Sequence, residues 1–312
     1  MKQLAIPLAL SLGAVLTACG DSSDTNPAAP TQNVVQLAQG NPDLGILVEA
    51  VGAADLAGAL SGPGPFTVFA PTNAAFAALL TELGVTKAEL LANKPLLTAV
   101  LQYHVLGAAV RKDQIPLGKA ISPLAGGIFK IDLQAGQAVI TDGRNRTARI
   151  VATDVPATNG VVHVIDRVIL PADKNIVETA QAISDFSILV DAVVAAGLAP
   201  TLSGPGPFTV FAPTNAAFAA LLGELGVTKD QLLSDTSLLT AVLTYHVIGA
   251  RVLKADVVPG VQPATVQGET FSISPALAIT DRRARTSNIV TTDVITSNGI
   301  IHVIDRVILP SP

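Results

Sequence analysis

All four histidines of the chain fall at two repeated positions, His104 with His246 and His163 with His302, a pattern that first raises metal ligation and acid–base catalysis. The spacing argues against both. His104 lies seven residues after Leu97 and three after Leu101, so on a helix it joins an apolar stripe with Leu97, Val100 and Leu101. His163 alternates with Val161 and Ile165 along a run whose other face carries Val162, Val164 and Asp166, the pattern of a buried central strand. These rings are therefore expected to be core histidines bonded to backbone carbonyls, with no metal and no catalytic role. The chain also lacks a Gly-rich phosphate loop opening a helix, a nucleophile elbow and a His-x-x-x-His zinc pattern. It reads as a non-enzyme without a cofactor.

Two other groups of residues have chemistry to offer. Thr141–Arg146 (TDGRNR) and Thr280–Arg285 (TDRRAR) put arginines at the same turn in both halves of a chain with net charge −5. Against the plain reading of a solvated turn, Arg144, Arg146, Arg283 and Arg285 are candidates for gripping phosphate or sulfate groups of a surface polysaccharide. The acidic balance and the lack of a basic stripe argue against nucleic acid as a partner. Cys19 is the only cysteine, which leaves no internal disulfide. It follows Lys2 and the apolar run Leu4–Leu16, so residues 1–18 read as a signal peptide. Leu16-Thr17-Ala18-Cys19 resembles the lipobox of bacterial lipoproteins, which implies lipidation of Cys19 and an exported, membrane-anchored protein facing the periplasm or the cell surface. Gly20 in place of Asp implies an outer membrane where the cell has one. Residues 19–32, polar and without periodicity, are expected to be the lipidated end and a disordered tether.

The elements that must position these groups come from a tandem repeat. Ser61–Leu80 returns letter for letter as Ser203–Leu222. Each copy reads as a Gly-Pro turn, a strand (Phe66–Ala70), a helix cap at Thr72 or Asn73 (Thr214 or Asn215 in the second copy) and an Ala-rich helix. Two helices are expected before it, over Val34–Leu60. Capping boxes at Thr86–Glu89 and Thr228–Gln231 start another, and a further helix carries the Tyr-His pair. Strand-like alternation follows at Gly127–Leu133, Gln137–Thr141, Arg149–Thr153 and Val161–Leu170. The register between copies is 142 residues up to the Tyr-His pair and 139 after it, which places a three-residue deletion in the divergent stretch between. The boundaries are 33–171 and 172–312, each long enough to bury its own core; hydrophobic residues at 49% against 14% charged supply the material.

Three phrases carry a family resemblance, in the same order in both copies. FTVFAPTNAAF (Phe66–Phe76, Phe208–Phe218), the pairs Tyr103-His104 and Tyr245-His246, and N-G-[VI]-[VI]-H-V-I-D-R-V-I-L-P (Asn159–Pro171, Asn298–Pro310) resemble the signatures of fasciclin (FAS1) domains. The resemblance implies an α+β fold of two tandem domains, each a β-sheet wedge or sandwich packed with several helices. It implies structural roles for His163, Asp166, His302 and Asp305, and links Tyr103, His104, Tyr245 and His246 to receptor contact in animal members. Function by resemblance is adhesion or binding to a matrix polymer or protein. The alternative is a carrier of a small apolar ligand such as a carotenoid or lipid.

Overall fold

The computed structural model describes residues 29–258 and 260–312; Cys19, the signal-like run and the first part of the tether lie outside the described residues. In the first repeat three short helices, α1 (Val34–Gln39), α2 (Gly45–Ala53) and α3 (Ala57–Ser61), precede β1 (Phe66–Pro71). Then come α4 (Asn73–Leu83), α5 (Lys87–Ala92), α6 (Lys94–Tyr103) and β2 (Val105–Leu106). A loop leads to β3 (Lys130–Gln134), β4 (Gln137–Thr141), β5 (Thr147–Ala157) and β6 (Gly160–Ile165). The second repeat gives α7 (Ile176–Gln181), α8 (Ser187–Ala195), α9 (Ala199–Ser203), β7 (Phe208–Pro213), α10 (Asn215–Leu225), α11 (Lys229–Ser234), α12 (Thr236–Tyr245) and β8 (Val247–Ile248). It closes with β9 (Ser272–Ile273), β10 (Ala278–Thr280), β11 (Thr286–Ile295) and β12 (Gly299–Ile304). The class is α+β, in two repeated units.

Each unit holds a six-stranded sheet, ordered β2-β1-β6-β5-β4-β3 and β8-β7-β12-β11-β10-β9. The signature strand β1 pairs in parallel with the closing strand β6, Phe69 opposite His163, so two of the repeated phrases meet at the centre of the sheet. Parallel central strands are covered on both faces, which is why β1 and β6 are apolar apart from the buried Thr67 and His163. On one side Val68, Ala70 and Val162 pack under the helices with Leu47, Phe76 and Leu97. On the other Phe69 and Ile165 meet Tyr103, Phe129, Ile140 and Ile150 inside the curl of the sheet. Phe69, Phe129 and Tyr103 stack edge to face at 5.3 and 5.8 Å between centroids. Phe211, Phe271 and Tyr245 repeat the arrangement.

Two expectations change. The stretch before β1 forms three α-helices and a 3₁₀ turn at Pro42–Leu44, not two helices, because Asn41 caps the turn and Leu56 to Ser61 winds again after a break at Asp55 in the left-handed region. The closing strand stops at Ile165 instead of running to Leu170. Asp166 turns its carboxylate back onto the Arg149 N–H at 2.7 Å, and Val168–Leu170 leave the sheet for a buried course across the core.

Candidate functional site

The four histidines are buried, at 0–2% exposure, and every ring nitrogen has a partner. His104 ends α6; its Nδ1 donates to the Val100 carbonyl at 2.7 Å and its Nε2 accepts the Ile169 N–H at 3.1 Å. His246 repeats both bonds with Val242 and Ile308. His163 Nδ1 accepts the Asp154 N–H at 3.2 Å while Nε2 faces the Val110 carbonyl at 2.9 Å, and His302 does the same with Asp293 and Val252. These contacts leave no ring lone pair for a metal. The rings fasten the chain end and the β5–β6 bulge to the middle of each domain.

Burial, opposed by the bond to a backbone carbonyl, pulls His104 and His246 down to about 4. Above about pH 6.5 folded and unfolded chains both hold these rings neutral. As pH falls from 6.5 towards 4 the unfolded chain takes up protons that the folded chain refuses, and each histidine then removes about 3 kcal/mol of stability. Thermal midpoints measured across that window should fall more steeply in the native protein than in a His104→Asn/His246→Asn variant; parallel curves would contradict the neutral assignment.

Tyr103 and Tyr245 are fully buried and donate their hydroxyls to the Ile128 and Thr270 carbonyls. Burial, reinforced by the charge of Asp142, raises the Tyr103 hydroxyl, and burial and Asp281 raise Tyr245 to about 12. With their histidine neighbours these residues lie out of reach of any partner at the surface, which corrects the expectation that the Tyr-His pairs make a receptor contact. Their work is in the core.

The arginine turns are corrected likewise. Arg146 is held by Asp142 at 2.8 Å and bidentately by Glu82 at 2.8 and 2.9 Å, and it donates to the Val168 carbonyl. Arg285 pairs with Glu224, Arg283 donates to the Pro310 carbonyl and Arg144 reaches Asp173 in the linker. Arg146 and Arg285 are thereby committed to carboxylates of their own domain, while Arg283 is exposed with only its Nε bonded. The hub is a residue that spacing alone passes over. Asp142, 1% exposed, accepts the N–H groups of Arg144, Arg146 and Leu170 together with the Arg146 guanidinium. Asp281 accepts those of Arg283, Arg285 and Leu309. The only sequence signal was an Asp at the same place in both turns.

The signature caps act as spacing suggests. Thr72 and Thr214 accept the Ala75 and Ala217 N–H groups, while Asn73 and Asn215 bridge back to Ile46 with Pro42 and to Ile188 with Ser184. Asp305 accepts from Asn288 as Asp166 does from Arg149. Asn159 and Asn298, unremarked in sequence beyond opening the closing phrase, pin the first helix of each domain to the turn before the signature strand.

What remains for an outside partner is set by the seam between the domains. Lys130 on β3 meets Asp293 on β11 at 2.7 Å, with side chains 12% and 2% exposed, and Asp132 at 3.1 Å. The Asn145 amide pairs with both the N–H and the C=O of Ile295, at 2.7 and 3.0 Å, as an added strand residue would. Lys119 reaches Asp256 at 3.0 Å, and Ile128, Leu253, Ile295 and Ile300 close an apolar centre. The face that domain 2 presents here has a counterpart in domain 1, which no element among the described residues covers. Asp154, like Asp293, has a left-handed φ and accepts the N–H at the start of a 3₁₀ turn, Lys112 at 2.8 Å and Lys254 at 2.7 Å respectively. Around Asp154 runs a groove of about 790 Å³, floored by Ile115, Leu117, Leu133 and Val161, with Arg111, Lys112 and Asp113 on its rim.

The Fasciclin domain family model matches residues 42–171 and 184–310. Transforming growth factor-beta-induced protein ig-h3 of Sus scrofa is 32% identical over 80% of this chain and 35% of its own length. Protein sll1483 of a Synechocystis strain is 45% identical over 44% of this chain and 73% of its own length. Among solved structures, a FAS1 domain pair from the insect cell adhesion molecule Fasciclin I covers 85% of this chain and 95% of its own, at 19% identity and a TM-score of 0.43. This chain therefore spans about a third of the ig-h3 protein it matches.

Proposed function

The chain belongs to the fasciclin domain family, and from that premise we propose that it is a non-catalytic attachment protein that binds a protein or polymer of a neighbouring surface or matrix through the open groove of domain 1. The observation that carries this reading is internal: the equivalent face of domain 2 is already a protein contact, made by domain 1. The groove has the make-up of such a contact, an apolar floor with Leu117 and Leu133 about half exposed and charges of both signs at the rim. Domain 2 spends its copy of the face on domain 1, so the pair offers this face once.

Anchoring belongs to the same proposal. Cys19, lipidated as the lipobox-like sequence implies, would hold the exported pair at a membrane, with the tether setting the reach; no helix among the described residues is long and apolar enough to cross one. Ala29 and Pro30, the first described residues, border the groove, which supports a tether leaving beside the proposed attachment face.

The test is retention of the protein on envelope polymers and extracted matrix protein. Leu117→Glu with Leu133→Glu puts two charges on the half-exposed floor, and is expected to cut retention at least tenfold with the thermal midpoint within about 5 °C of native. Equal retention of the variant would remove the groove from the proposal. Cys19→Ser in the native host reports the anchor separately, by release from the membrane fraction.

A further inference from the structure

Domain 1 holds an apolar cavity that its own duplicate has lost. Between α1, α2, α3 and β1 lies a space of about 200 Å³ lined by Val34, Val51, Gly52, Leu60, Val68 and Leu101 among others. The corresponding space in domain 2 is about 30 Å³. Aligned at the constant offset of 142 residues, the linings differ at two positions only: Val34 becomes Ile176 and Gly52 becomes Val194. Ile176 is buried, one carbon larger than Val34, and lines the smaller space. Gly52 sits exposed at the mouth, where an added Cβ would meet nothing within 4 Å, and Val194 narrows that mouth in the second domain.

The chemistry of the lining limits what could enter. His104 is the one ring with polar atoms on the wall, and both its nitrogens are committed, to Val100 and Ile169. The other polar side chain of the lining, Gln39, is solvent-exposed, so the apolar interior itself offers a ligand no directed hydrogen bond. An apolar space of this kind stays dry, and one of about 150 Å³ accepts benzene. We propose that the domain 1 cavity is a binding site for an unsubstituted hydrocarbon group, either an aromatic ring or the methyl end of an alkyl chain. At about 200 Å³ it takes a toluene-sized group and is far too small to enclose a carotenoid. This site is independent of the attachment groove, on the other side of the sheet.

The experiment titrates the full chain with toluene, n-hexane and dodecanoate, following methyl resonances and ligand-to-methyl contacts by nuclear magnetic resonance. Saturable binding is expected with contacts to Val34, Val51 and Leu60. Val34→Ile/Gly52→Val, which installs residues the fold already accommodates in domain 2, should weaken it at least tenfold without lowering the thermal midpoint. Ile176→Val/Val194→Gly should create a second site. Binding of dodecanoate through its terminal methyl at the same contacts identifies the tail of an amphiphile as occupant, and binding of toluene and hexane alone identifies a free hydrocarbon. The proposal fails if the native chain shows no saturable binding. It also fails if Val34→Ile/Gly52→Val binds within twofold of native, which would place the ligand elsewhere, for instance in the cavity of about 210 Å³ behind Phe218 and Leu239.

Discussion

Replacing Asp142 with alanine should lower the stability of domain 1 by about 3–5 kcal/mol, a fall in thermal midpoint of roughly 10–20 °C. The size of the effect follows from what the carboxylate leaves behind. Three backbone N–H groups, those of Arg144, Arg146 and Leu170, would lose their acceptor in a site that is 1% exposed. Arg146, 14% exposed, would keep Glu82 and lose the more deeply buried of its two carboxylates. Stranded donors and an under-compensated buried cation each carry a desolvation cost that well-paired groups avoid. Asp142→Asn separates the two contributions: it retains an acceptor oxygen but turns a nitrogen toward a cation or an N–H, so it should recover only part of the loss. Differential scanning calorimetry of both variants decides the matter. A change below about 1 kcal/mol in Asp142→Ala would mean that the hub is not the fastening it is taken for.

Lys130→Ala is expected to uncouple the two domains. Asp293 would then be a carboxylate at 2% exposure with no cation, and breaking a buried pair from one side costs about 3–5 kcal/mol. The native pair should unfold as one cooperative unit and the variant as two, seen as a split calorimetric transition. Lys130→Met keeps the apolar stem that packs in the seam, so splitting in that variant too assigns the effect to charge. The pair also has a pH signature. Burial pulls the Lys130 ammonium down, but the hydrogen bond and charge of Asp293, followed by Asp132, outweigh it and the group ends above its ordinary value. A raised ammonium contributes its full stabilisation below about pH 10.4 and loses it as the pH climbs beyond. Superimposable melting curves for native and Lys130→Ala would show that the domains are not coupled through this contact.

The repeat, the α+β class and the burial of the histidines were legible because each rests on local periodicity. Leu97, Val100, Leu101 and His104 share a helix face whatever surrounds them, and Val161 to Ile165 is apolar on both faces only if covered on both. The caps at Thr72 and Thr86 are equally local, whereas the Asn73 bonds to Ile46 and Pro42 are not. What escaped notice depends on groups distant in sequence. The pairing of Asp142 with Leu170, of Asn159 with Val34 and of Asn145 with Ile295 leaves no mark of spacing, because the fold alone brings those residues together. For the same reason the Arg144–Arg146 turn read as an open cationic surface: its carboxylate partners Glu82 and Asp173 lie tens of residues away. The open groove was invisible in another way, since it is defined by the absence in domain 1 of a neighbour that domain 2 has.

The seam is head to tail, one surface of the first unit against a different surface of the second, and a contact of that kind repeated without end generates a filament. This chain carries both brakes. At its trailing end the positions of Lys130 and Asn145 are taken by Ser272 and Ala284, which supply neither the ammonium nor the amide. At its leading end Pro156 stands where Ile295 offers an N–H, and Arg111 replaces the buried Leu253. Each of the two units thus retains only the half of the joint it uses, and neither outer face carries the groups that would repeat it.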